Sequence, residues 1–180
     1  KLAYHSDNAR VLKGKDDQAA AYHQRQVDLL VPLVKAYSTD QAYRVAELAI
    51  QVHGGAGYIK DYPVEQCARD SKIFSIYEGT NHIQAMDLVG RKLPQAGGAN
   101  LQAFLGDVSR FIADNDKHPK LGPLVKDLAG VHEAFSGVAM RLLSWFQANR
   151  MQLVPLAANR VLEMMSELTC AWLLCDAARI

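Results

Sequence analysis

The 180 residues are 49% hydrophobic and carry 20 basic against 19 acidic side chains, a net charge of +1. That length and apolar share support one folded domain, or one with a substantial appendage, around a real core. The charges are interspersed, with no run of five or six of one sign, which excludes a nucleic-acid arm or a solvating tail, and no apolar stretch approaches the ~20 residues that cross a bilayer.

In chain order, KLAYHSDNARVLKG opens without Met and with an apolar rhythm at Leu2, Ala3, Ala9 and Leu12. It reads as a helix already under way, so a longer parent protein is expected. VDLLVPLVKAY is helical in pattern, and so is QAYRVAELAIQVHGG, where Ala42, Val45, Ala46, Leu48, Ala49 and Val52 form one broad apolar face. Between them Pro32 leaves three readings open: it begins a helix, kinks one, or separates two, and Ser38, Thr39 and Asp40 are good N-cap residues for the last. Gly54 and Gly55 stop the helix, with a left-handed cap expected.

After the GGAGYIKDYP loop, Pro63 opens a short helix through VEQCARD, and a further helix is expected from about Thr80 to Leu93. LPQAGG is the clearest boundary in the chain. Three more helices follow at roughly 100–115, 121–148 and 153–178. Val138, Leu142, Trp145 and Phe146 lie at helical spacing, as do Leu156, Val161, Met164, Met165 and Leu168, and both stripes read as core packing. No segment alternates with period two for long enough to build a sheet. The expected fold is all-α, an up-and-down helical bundle over 1–93, a linker over 94–99 and a helical extension over 100–180.

The chemistry-bearing residues narrow the function by elimination. A di-iron bundle needs Glu-x-x-His pairs, yet three residues after Glu47, Glu65, Glu78, Glu133, Glu163 and Glu167 stand Ile50, Ala68, Asn81, Ser136, Ser166 and Cys170. HExxH, GxxxxGK[ST] and GxSxG are also absent, so no metal is expected. Cys67, Cys170 and Cys175 are odd in number and lack CxxC spacing. They argue against a disulfide framework or a zinc site and for buried thiols in a reducing compartment, taken as the cytoplasm.

Two stretches stand out. QVHGGAGY, from Gln51 to Tyr58, puts three glycines in four positions after a helix. It is either a plain helix stop or bare backbone that another surface approaches closely. In SIYEGTNHIQ, from Ser75 to Gln84, Thr80 is a good N-cap, so Glu78 and Gly79 fall just ahead of a helix start. There Glu78 is either a solvated acid complementing the helix dipole or a base, and the dipole alone would make it a poor base unless burial opposes it.

In AIQVHGGAGYIKDYPVEQCARDSKIFSIYEGTNHIQ, a QxxGG-x-GY segment is followed by YPVE, an RD pair and IYEGT-x-x-IQ. Residues 41–93 thereby resemble the C-terminal helical domain of the acyl-CoA dehydrogenases. Residues 17–40 resemble the preceding family helices more loosely, and the region after Gly98 resembles the C-terminal segment of the family's larger members. The resemblance implies a flavoprotein of fatty acid metabolism that oxidises the Cα–Cβ bond of an acyl-CoA, with FAD as hydride acceptor and a further electron acceptor for the reduced flavin. It assigns Glu78 as catalytic base, with its backbone N–H as one donor to the thioester carbonyl, and Gly79 as the clearance beside which the substrate lies. Thr80, Asn81 and His82 fall where the family contacts FAD, with Asn-His in place of its usual small and acidic or amide residues. Gln51, Val52, His53, Gly54 and Gly55 match the segment that approaches the FAD of a neighbouring subunit, which implies a homo-oligomer. The family's N-terminal helical and β-domains precede this region, so these residues alone are expected to be inactive and to bind FAD poorly. The competing expectation is a non-catalytic helical oligomerisation or interaction module on the same scaffold.

Overall fold

The computed structural model describes residues 1–179, and all regular structure among the described residues is helical. The helices are α1 (Leu2–Leu12), α2 (Asp17–His53), α3 (Val64–Lys72), α4 (Asn81–Asp87), α5 (Ala99–Asn115), α6 (Gly122–Gln147) and α7 (Val154–Ala177). The three expected after residue 99 are present with bounds within a residue or two of those read from periodicity.

The longest element is α2, 37 residues, or roughly 55 Å at 1.5 Å per residue. Its start is set by Asp16, whose carboxylate accepts from Ala19 N at 3.0 Å, with Asp17 adding negative charge in the first turn. Pro32 neither starts nor ends it: the helix runs through, and the ring is buried among core side chains. Packing of Leu29, Leu30, Leu33 and Ala36 on either side of Pro32 offsets the backbone hydrogen bond that a proline cannot make. Ser38, Thr39 and Asp40 therefore lie mid-helix, with the Thr39 hydroxyl donating back to Lys35 O at 2.8 Å.

Gly54 ends α2 with φ 61 and ψ −144, so the cap is not the left-handed helical one expected. Residues Gly54–Tyr58 instead form a 3₁₀ turn folded back on the helix. A Cβ at Gly57 would lie 2.7 Å from Ile50 O and 2.8 Å from His53 Cβ. The third glycine of the motif is thus required by close packing within this chain.

Pro63 sits at the N-cap of α3, one residue ahead of the first helical residue. From there α3 packs back along α2, and Lys72 Nζ stands 4.7 Å from the centre of the Tyr43 ring. The helix expected to reach Leu93 is α4 followed by a wider π-turn, Leu88–Lys92, in which Leu93 N donates to Leu88 O at 2.9 Å. The turn leaves Leu88 and Val89 fully buried. Ala96, Gly97 and Gly98 all have positive φ, which breaks the helical path before α5.

One continuous core joins the two halves of the sequence. Leu29 and Leu33 of α2 share it with Leu88 and Val89, with Phe104 and Val108 of α5, with Leu128 and Phe135 of α6, and with Val161, Met165 and Leu168 of α7. Phe104 meets Trp172 edge-on at 6.0 Å, and Tyr22 OH donates to Asp107 Oδ2 at 2.9 Å across the same seam.

Several expected core positions lie elsewhere. Leu156 is 81% exposed, because it falls on the outer side of the first turn of α7. Cys175 is buried, but Cys67 and Cys170 are exposed, so the thiols are not uniformly core residues. Beyond Ala36 the only buried residue of α2 is Ala46, while Val45, Leu48 and Val52 face outward.

Candidate active site

Between α3 and α4 the chain makes a short 3₁₀ turn, Ile73–Ser75, and then two consecutive residues with positive φ: Glu78 at 53 and Gly79 at 82. For Gly79 this costs little, whereas any side chain there would be strained and its Cβ would sit 3.4 Å from Gln84 Nε2. Glu78 pays on the order of 1 kcal/mol for the left-handed region. A strained acid beside a glycine persists only where its surroundings hold it.

Those surroundings come from α2 and α4. Lys35 Nζ donates to Gly79 O at 2.8 Å and to Asn81 Oδ1 at 2.9 Å. The Asn81 amide nitrogen faces three acceptors on α2: Ala36 O at 3.0 Å, Thr39 Oγ1 at 2.9 Å and Asp40 Oδ1 at 2.8 Å. The Thr80 hydroxyl accepts from Ile83 N at 3.4 Å and caps α4, as its position in the sequence suggests. His82 Nδ1 lies 3.0 Å from Asn159 Oδ1 of α7.

Glu78, Gly79 and Thr80 are exposed. Among the described residues nothing covers the Glu78 carboxylate, and its N–H makes no hydrogen bond. Behind the turn, a cleft of about 210 Å³ runs between α2, α4 and α7, lined by Asp40, Arg44, His82, Asn159 and Glu163 among others. The cleft has both charge signs on its walls and is walled by both halves of the sequence.

The second expected group lies apart from the first. Gln51, Val52, His53, Gly54 and Gly55 occupy the C-terminal end of α2 and are all exposed, with His53 resting against Tyr62 at 5.2 Å between ring centres. Fifteen residues of continuous helix separate Ala36 from Gln51, roughly 22 Å along the axis. Glu78, Gly79, Thr80, Asn81 and His82 are thus brought together, and the glycine loop is not brought to them. A Cβ built on Gly54 or Gly55 meets nothing within 4 Å, so this backbone is bare toward its surroundings.

Lys35 and Asn159 are the side chains that local motifs did not reveal. Lys35 stands 44 residues before Gly79 and Asn159 stands 77 residues after His82. Only the helical register of α2 would have hinted that Lys35 and Thr39, four residues apart, share a side of the helix.

A separate polar cluster lies at the seam of α1, α2, α5 and α7, lining an open cavity of about 430 Å³. His5 Nδ1 lies 2.8 Å from His23 Nδ1, and the His5 ring is 6% exposed. Burial first, then the neighbouring His23 and Lys1, lowers the His5 pKa to about 4. Burial and the hydrogen bond to Asp107 push Tyr22 up to about 12. Among the described residues no helix is long and apolar enough to cross a membrane.

Comparison with known proteins identifies the family. Residues 8–93 match the family model described as acyl-CoA dehydrogenase, C-terminal domain, and residues 104–180 match the one described as acetyl-CoA dehydrogenase C-terminal like. A butyryl-CoA dehydrogenase of Syntrophomonas wolfei is 35% identical over 145 residues, 81% of this chain and 23% of that protein. A broad-specificity linear acyl-CoA dehydrogenase of Mycobacterium tuberculosis is 33% identical over 171 residues, 92% of this chain and 28% of its own length. Over 88 residues the chain is 47% identical to a 3-methylmercaptopropionyl-CoA dehydrogenase of Ruegeria pomeroyi, covering 49% of this chain and 15% of that one. The chain therefore spans less than a third of the length of the relatives it matches. With the Glu78–Gly79 turn inside the first matched segment and α7 inside the second, the chain belongs to the acyl-CoA dehydrogenase family.

Proposed function

We propose that the chain supplies the base-bearing helical part of a flavin-dependent acyl-CoA dehydrogenase acting in fatty acid metabolism, with Glu78 as the base. The observation that supports this most is the Glu78–Gly79 turn, an acid at φ 53 presented outward from a hydrogen-bonded floor. A solvated acid complementing a helix dipole needs neither that backbone nor that floor.

In this reading the Glu78 carboxylate takes the Cα proton of the thioester while the free Glu78 N–H meets the charge developing on the thioester oxygen. The positive φ of Gly79 turns the backbone so that base and donor belong to one short turn, and the absence of a Cβ leaves the thioester room. Desolvation of the carboxylate, which raises a base toward useful strength, requires a cover over residues 75–80 that the described residues do not provide. FAD, when bound, supplies the hydride acceptor, and a separate electron acceptor reoxidises it.

The residues present fit such a cofactor. Thr80 keeps a hydroxyl proton to donate after accepting from Ile83 N, and His82 keeps Nε2 on the far side of the ring from Asn159. Asn81 offers its backbone, since its side chain is engaged with α2. Gln51, Val52, His53, Gly54 and Gly55 lie about 22 Å away along α2, which suits contact with the flavin of a neighbouring subunit and hence a homo-oligomer. Residues 1–93 and 100–180 are then two sequence units joined by 94–99. On their own, these 180 residues do not complete the site.

A second reading keeps the scaffold as an oligomerisation module without chemistry, and the exposed stripe of Val45, Leu48 and Val52 favours it. Glu78→Gln in the full-length protein decides between the two. Loss of dye-coupled acyl-CoA oxidation by more than about 100-fold, with flavin content retained, is expected for a base. A rate near that of the parent would leave the module. The same flavin assay on the purified 180-residue chain is expected to find no stoichiometric flavin.

A further inference from the structure

We propose that Lys35 is a positioning residue for the proposed base, acting through the Gly79 carbonyl; this rests on the reading of Glu78 given above. An ammonium has three protons and no acceptor. Lys35 spends two of its donors on points that bracket Thr80: Gly79 O at 2.8 Å and Asn81 Oδ1 at 2.9 Å. One cation thus ties down the residue that follows the acid and the residue that follows the helix cap.

The clamp acts where the backbone most needs it. Glu78 and Gly79 hold φ values of 53 and 82 in succession, a combination that a free loop leaves readily because one of the two residues carries a side chain. Rotation about Gly79 would swing its carbonyl away and turn the Glu78–Gly79 peptide with it. The Lys35 bond to that carbonyl opposes this rotation from a rigid origin, since Lys35 is mid-α2 and half-buried. Asn81 closes the frame from the other side through Ala36 O, Thr39 Oγ1 and Asp40 Oδ1. Charge-assisted bonds of this kind are roughly twice as strong as neutral ones, so the cation suits a restraint that works against backbone preference.

What Lys35 fixes is direction. The Glu78 N–H, which makes no hydrogen bond among the described residues, and the Glu78 carboxylate leave the same turn, and both must point at one thioester. A misplacement of about 1 Å at such a site costs up to about 100-fold in rate, far more than it costs in binding a long acyl-CoA held at many other points.

The test uses full-length, flavin-loaded protein and two readouts. One is turnover with an acyl-CoA and a dye acceptor, separated into kcat and KM. The other is the absorbance of a bound chromophoric enoyl-CoA thioester, which moves to longer wavelength when its carbonyl accepts a strong hydrogen bond. Lys35→Met is expected to lower kcat by about 10- to 100-fold, with KM and flavin content changed little, and to lose most of the red shift. Glu78→Gln keeps its backbone N–H and is expected to lose turnover but keep the red shift. A Lys35→Met protein with parental kcat and parental red shift overturns the proposal. If Glu78→Gln retains turnover, the base assignment fails, while the Lys35→Met red shift still reports whether the turn is clamped. Should Lys35→Met fail to fold, Lys35→Gln keeps a polar side chain but no charge and only two amide protons on a shorter stem: loss of both readouts supports the clamp, and parental values overturn it.

Discussion

The two halves of α2 carry similar apolar periodicity and meet opposite surroundings. In the first half Leu29, Leu30, Leu33 and Ala36 are at most 5% exposed and packed in the common core. In the second, Val45, Leu48 and Val52 stand 64%, 64% and 87% exposed. Both stripes are helical in spacing, so periodicity reports which side is apolar and is silent on what covers it. The half that shares the core with α5 and α7 is scaffold, whereas the other half has α3 on one side, leaves Val45, Leu48 and Val52 open and leads into the glycine loop.

The sharpest way to break the comparison is to cut into the covered half. Leu29→Ala removes a side chain with no exposure from the centre of the shared core and is expected to cost about 2–5 kcal/mol, read from urea denaturation of the purified chain. A loss below about 1 kcal/mol would mean that the core tolerates collapse there and that α2 is not its spine.

What was legible in the sequence follows the same line. The helices after residue 99 were readable because each carries a long apolar stripe bounded by Pro, Gly or Asn-Asp turns. Pro32 was ambiguous because a proline's effect depends on whether neighbouring packing outweighs its lost hydrogen bond, and the α2 residues beside it, Leu29, Leu30, Leu33 and Ala36, belong to a core completed by α5, α6 and α7, more than 60 residues downstream. The Thr80 cap was readable from a local pattern. The floor beneath Glu78 was not, because Lys35 and Asn159 reach it only once α2, α4 and α7 have packed. The position of the proposed base is local information, and its orientation is tertiary.

Acid is expected to act on the covered half with an effect of roughly 2–3 kcal/mol. The buried His5 titrates at about 4, below the 6.5 of a free imidazole. Between those values the unfolded chain takes up a proton that the folded chain refuses. Stability contributed by the neutral ring is therefore present above pH 6.5 and is lost progressively as the pH falls toward 4. His23 and Tyr22 of α2, Tyr4 and Lys1 at the start of the chain, and Asp107 and Arg110 of α5 all face the same cavity, with Asp176 and Arg179 at the end of α7. The control is His5→Gln, which removes the titrating ring: urea midpoints followed from pH 7.5 to 4.5 should flatten relative to the parent. An unchanged pH slope would assign the acid sensitivity to the carboxylates.

The smallest expected effect on stability falls at the open half. Val52→Ser changes a side chain 87% exposed, so it should shift the unfolding free energy of the isolated chain by no more than about 0.5 kcal/mol. Scattered exposed apolar residues are ordinary, but Val45, Leu48 and Val52 recur at spacings of three and four on one side of one helix, directly before a bare glycine backbone. If that side meets a second copy, as the proposed homo-oligomer requires, the same substitution should weaken self-association of the full-length protein in sedimentation experiments while leaving the fold of the chain untouched. A fall in chain stability comparable to that of Leu29→Ala would instead place Val52 under a cover supplied by its own chain, and the contrast between the two halves of α2 would disappear.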